Sequence, residues 1–166
     1  VFHVPSGDSI LIRHTGPLPM DQVIVQAPRR EGVDRAGYQL TFKPETRDHQ
    51  PVLMLADVEE YDRALFRIRE GRVTFENLHF DLKPGPSQNQ LAAVSLVAGR
   101  EVEFRNCTFT LNETDGKPTS AIALVDSGKE MKMDGPAMNA PPKIEFDGCL
   151  IRGRGRGVSL SSSRPF

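Results

Sequence analysis

An alternation of apolar and polar residues organises this chain. Val73-Thr74-Phe75-Glu76-Asn77-Leu78-His79-Phe80 is apolar at every second position up to Phe75 and again from Leu78, with Asn77 at the break. The pattern returns at Val102-Glu103-Phe104-Arg105-Asn106-Cys107-Thr108-Phe109 and at Ile144-Glu145-Phe146-Asp147-Gly148-Cys149-Leu150-Ile151. Successive side chains of a strand point to opposite faces, so each unit reads as two half-buried strands that meet at a corner. Asn and Gly tolerate left-handed backbone better than other residues, which suits them to that corner.

A third strand belongs to each unit. Alternating or apolar runs at 65–69, 93–97, 121–125 and 158–161 lie between the motifs. Residues 39–43 and 52–55 read as strands of an earlier unit, joined by a polar turn over 44–50. Closer to the start, 10–12 and 23–25 read as short buried strands around a turn at 15–19. Residues 28–37 and 57–63 are charged excursions.

Phe75 and Phe104 are 29 residues apart, and Phe104 and Phe146 are 42 apart, with an insertion at 128–142 accounting for the excess. Self-similarity at such a period, with three strands and no helical spacing, predicts stacked coils of parallel strands. Equivalent residues would then lie about 4.8 Å apart in continuous ladders. Val73/Val102/Ile144, Phe75/Phe104/Phe146, Leu78/Cys107/Cys149 and Phe80/Phe109/Ile151 are the expected inward ladders of the motif strands. On the third strand they are Phe66/Val94/Ile122/Val158 and Ile68/Leu96/Leu124/Leu160. Asn77 over Asn106 is expected to bond amide to amide, a ladder that Gly148 ends.

These motif residues, with 40–53 and 65–68 as an earlier coil, resemble the right-handed parallel β-helix proteins of the pectin-lyase-like superfamily. The resemblance implies an all-β fold: a single-stranded solenoid of about four coils with three strands per coil. Residues 1–37 would form an incomplete or capping coil and 38–166 the coils proper, as a segment of a longer protein. It implies no particular activity, because this fold hosts lyases, hydrolases, adhesins and non-catalytic scaffolds.

Composition narrows the partners. Apolar residues are 38%, charged residues 26% and the net charge is −1, so no global field favours nucleic acid. No apolar run reaches membrane-spanning length. The two cysteines, Cys107 and Cys149, sit at equivalent repeat positions and are expected as buried free thiols, since parallel side chains disfavour a bridge. No Cys/His set has metal-ligand spacing, and neither a metal nor a cofactor is expected.

Candidate chemistry is sparse. His79 and Asp81 lie on one face of a strand, where an imidazole and an orienting carboxylate could act together. Arg152-Gly153-Arg154-Gly155-Arg156 could grip carboxylates, sulfate or phosphate, since guanidinium binds them bidentately. Glu103 and Glu145 lie one rung apart, but Arg105 beside them favours neutralisation over calcium. Asp57, Glu59, Glu60 and Asp62 read as a solvated excursion, and Met131, Met133 and Met138 in the insertion suit an adaptable contact. The acid pairs and the Gly-His-Gly motif of the family's polygalacturonases are absent. The expectation is a non-catalytic scaffold in an extracytoplasmic or secreted bacterial protein, presenting loops to a polysaccharide or a protein. A polysaccharide lyase or hydrolase and an extracytoplasmic sensor domain are the alternatives.

Overall fold

The computed structural model describes residues 4–27, 37–56, 64–86, 88–97, 101–125 and 142–161. Fifteen strands form three parallel sheets of five, and no helix occurs among the described residues. The first sheet holds β1 (Ser9–Ile12), β4 (Gln39–Pro44), β7 (Arg72–Glu76), β10 (Glu101–Arg105) and β13 (Lys143–Asp147). The second holds β2 (Pro17–Met20), β5 (Val52–Leu55), β8 (His79–Leu82), β11 (Thr108–Asn112) and β14 (Leu150–Arg154). The third holds β3 (Val23–Val25), β6 (Ala64–Ile68), β9 (Leu91–Val97), β12 (Thr119–Val125) and β15 (Arg156–Ser161). Each consecutive trio supplies one strand to every sheet, so the chain is a parallel β-helix of five coils.

That is one coil more than the repeats suggest. The turn expected at 15–19 is in part a strand: Leu18 registers with Leu53, and Pro17 and Pro19 lie opposite Val52 and Met54. Two prolines disguise β2 because proline ordinarily argues against a strand, yet an edge strand tolerates it.

Phenylalanine ladders form the core. Phe42, Phe75, Phe104 and Phe146 stack face to face with successive centroids 5.4, 5.2 and 5.1 Å apart. Phe80 stacks on Phe109 at 5.0 Å, and Phe66 meets Phe75 edge-on at 4.8 Å. Strand spacing alone brings like rings into contact, and offset or edge-on ring pairs contribute about 0.5–1.5 kcal/mol beyond their buried area. The registers match the predicted ladders, with Val102 beside Val73 and Ile144, and Ile122 beside Val94 and Val158.

Corners follow the expected backbone but not the expected bonds. Asn77, Asn106 and Gly148 have φ of 51°, 52° and 59°. The Asn77 amide donates to the carbonyls of Arg47 and His49 in the preceding coil, not to Asn106. At Gly148 a Cβ would come within 2.5 Å of Asn106 Oδ1, a side-chain end that would have to turn aside, while the positive φ suits glycine.

Both cysteines are free thiols, and only Cys107 is buried. Its Sγ lies 3.4 Å from the Phe75 carbonyl, and burial pushes its pKa up to about 12. Cys149 is half-buried because it belongs to the last coil.

Candidate functional site

The outer face of the second sheet joins His79 and Arg152, two residues singled out from the sequence, in one hydrogen-bonded group. Outward positions stack in register: Thr108 lies between His79 and Leu150, and Thr110 between Asp81 and Arg152. His79 Nε2 is 2.8 Å from Thr110 Oγ1, and Arg152 Nε donates to the same oxygen at 3.0 Å. Asn112 Nδ2 donates to Asp81 Oδ1 at 2.9 Å. Three coils thus contribute to the His79–Thr110–Arg152 group, and two to the separate Asp81–Asn112 bond.

Electrostatics set the proton positions. Partial burial pushes the His79 imidazole below its ordinary range; Asp81 opposes that shift and Arg152 adds to it. A neutral ring is the form expected at neutral pH. Thr110 Oγ1 accepts from Arg152 and shares a second hydrogen bond with His79 Nε2, whose direction follows the tautomer of the ring. Asp81 stays one column to the side on the same strand with its oxygen on Asn112, so the face pairs His79 with Thr110 rather than with Asp81.

The three arginines do not converge. Arg152 joins the His79 group. Arg154 follows on the same strand, registered with Asn112, and its carbonyl accepts from Glu113 N and Thr119 Oγ1. Arg156 belongs to the third sheet, where with Ser120, Ser159 and Leu160 it borders a shallow depression of about 110 Å³. Ligand pockets typically reach about 300–1,000 Å³, so this hollow encloses no sugar ring. The glycines between the arginines serve packing. Gly153 has φ of 96°, and a Cβ there would collide with the Leu111 carbonyl.

Thr110 and Asn112 lack charge, and nothing in their sequence context marks them as part of a site. Their placement in the columns of Asp81 and Arg154 is the available signal.

The acidic rung of the first sheet is neutralised. Glu103 takes Arg72 Nη2 on one oxygen and Arg105 Nε on the other, both at 2.8 Å. Lys143 holds Glu145 at 2.7 Å, and Arg105 reaches Glu76 at 3.3 Å. Burial would raise the Glu103 carboxyl, but its two guanidinium partners hold it below the usual carboxylate range. Among the described residues no group of three or more His, Cys, Asp or Glu could hold a metal ion, and no helix is long and apolar enough to cross a membrane. The acidic excursion 57–63, all but the last residue of the insertion 128–142 and most of the loop 28–37 lie outside the described residues.

No protein-family model matches the chain, and searches of curated proteins and of solved structures find no match.

Proposed function

We propose that this chain is a non-catalytic β-helix scaffold of the pectin-lyase-like type, exported by a bacterium, whose second sheet binds an extended anionic polysaccharide. The observation that carries the reading is the His79–Thr110–Arg152 group, which spans three coils at strand spacing beside the Asp81–Asn112 bond. A flat row of donors and acceptors suits a linear polymer. Arg152 is exposed and supplies a charge for uronate or sulfate groups. Hydrolysis by the common route needs two carboxylates about 5–10 Å apart across the scissile bond. Asp81 lies beside this group, and an Asn amide occupies one of its oxygens.

Titration calorimetry with oligogalacturonates and with neutral cello-oligosaccharides tests the reading. Uronate binding should weaken with salt and fall about tenfold in Arg152→Ala, as loss of one charge-assisted bond implies. Absence of binding to either series would overturn it. New reducing ends or unsaturated products from polygalacturonate would favour a polysaccharide lyase or hydrolase instead.

A further inference from the structure

Thr110 holds two groups that respond differently to pH. A guanidinium stays charged at any pH a folded protein meets, whereas an imidazole changes charge between about pH 5 and 8. Both end on one hydroxyl oxygen: Arg152 Nε donates to Oγ1 at 3.0 Å, and His79 Nε2 lies 2.8 Å from it. The arginine reaches it from the following coil and the histidine from the preceding one. That oxygen therefore links a fixed charge to a switchable one.

Protonation of the ring changes what the face offers. Neutral imidazole has one N–H and one lone pair, and imidazolium has an N–H on each nitrogen. Nε2 of the imidazolium donates to Oγ1, which already accepts from Arg152. With both lone pairs engaged, the Thr110 hydroxyl keeps its own proton for a third acceptor, which a ligand oxygen on the open side of the sheet can supply. A positive charge and a hydroxyl donor thus become available together beside Arg152, and both favour an anion.

The surroundings leave this switch to few charges. Asp81 on the same strand and Arg152 on β14 are the charged groups acting on His79. β11 faces the ring with Thr108 and Thr110, and β5 pairs Val52 with it. Leu150 lies beyond Thr108 on β14, and the turn before β5 sets Gln50 Oε1 against the Thr108 hydroxyl. None of these five side chains titrates. Partial burial first, and then Arg152, keep the ring of the free protein neutral near pH 7 against the pull of Asp81. An anion seated between His79 and Arg152 removes the repulsion between them.

We propose that His79 is the pH-sensitive element of the second sheet: once protonated, it joins Arg152 across Thr110 to seat a carboxylate or sulfate group, so the face holds an anionic polysaccharide more tightly in mildly acid than in neutral surroundings. The proposal rests on the reading of this sheet as a polysaccharide-binding face. Coupling between two binding events is reciprocal, so the bound anion raises the proton affinity of His79, and binding near neutral pH takes up a proton. Affinity rises as pH falls through the His79 range and levels off once the free protein is already protonated there.

Titration calorimetry with an oligogalacturonate from pH 8 to pH 5.5, at constant ionic strength, reads the effect. Ligand carboxylates stay ionised over that range, since such groups titrate near pH 4. Affinity should rise about tenfold towards pH 5.5, the scale of one added charge-assisted bond. Buffers of different ionisation enthalpy should report proton uptake on binding at pH 7. In two-dimensional NMR of the parent chain, saturating oligogalacturonate should raise the His79 midpoint. His79→Gln places an amide near Thr110 that cannot titrate, so its affinity should stay level across the range. Binding of equal strength at pH 8 and pH 5.5 overturns the proposal and leaves the polysaccharide reading standing, as does a His79 midpoint that the ligand does not move. A rise that persists in His79→Gln belongs to another group and also overturns it. Absence of binding at every pH overturns both. The midpoint is read on the parent chain, so it decides the matter even where His79→Gln fails to fold.

Discussion

Thr110 shows how a residue without charge acquires a role from its register. It bridges His79 and Arg152, which belong to coils before and after its own. The imidazole is held below its ordinary titration range by burial first, with Asp81 pulling it up and Arg152 pushing it down. In a two-dimensional NMR titration, His79 should therefore lose its proton at lower pH than an unfolded-state histidine. Arg152→Gln should move that midpoint up, and Asp81→Asn should move it further down. A His79 midpoint at or above the ordinary 6.5 would contradict the burial argument. Because the folded value is depressed, the unfolded chain takes up the proton first. The stabilising contribution is complete above the ordinary value and is lost as pH falls through the folded one.

At the level of elements, a ladder position has a value that depends on which coil holds it. Phe104 is sandwiched between Phe75 and Phe146 and sealed from water. Truncation to alanine should cost about 3–5 kcal/mol, the range for a buried ring that leaves a cavity. Phe146 keeps one side in solvent, so Phe146→Ala should cost about 1–2 kcal/mol in line with its smaller buried area. Urea unfolding of the two variants decides the order, and equal losses would mean that the last coil is covered in solution. The same positional logic explains β2, whose prolines are compatible with a strand because they face its unpaired edge.

Across the whole molecule, one ion-pair network ties three coils together. Arg72 from the third coil and Arg105 from the fourth share Glu103, and Arg72 also lies 3.9 Å from Glu145 of the fifth. Guanidinium contacts outweigh burial and depress the Glu103 carboxyl. Its contribution is present above the ordinary carboxylate range and is lost as pH falls through the depressed folded value. Glu103→Gln should therefore lower stability by about 1 kcal/mol or less near neutral pH, the scale of solvent-screened pairs. The difference from the parent protein should shrink below pH 4, as read from melting temperatures across a pH series. A constant difference from pH 7 to pH 3 would show that lost packing, not charge, is responsible.

Much of this architecture was legible before any coordinates. A two-residue alternation broken by Asn or Gly every 29 or 42 residues admits few arrangements, because each coil exposes an apolar side that only its neighbours can bury. The ladders of Phe75, Val94 and Phe80 and the left-handed corners at Asn77 and Asn106 follow from that periodicity. Coil number did not, since the prolines of β2 imitate a turn. Hydrogen-bond partners did not either: the Asn77 amide takes carbonyls of a turn whose path no repeat encodes. Arg152, Arg154 and Arg156 look like one basic cluster along the chain, but the corner between β14 and β15 sends them to different sheets. Sequence by itself determined the repeat and its buried face, because burial of alternate residues is a local pattern. Tertiary structure alone decided which outward side chains meet, because that depends on registers between residues about 30 or more positions apart.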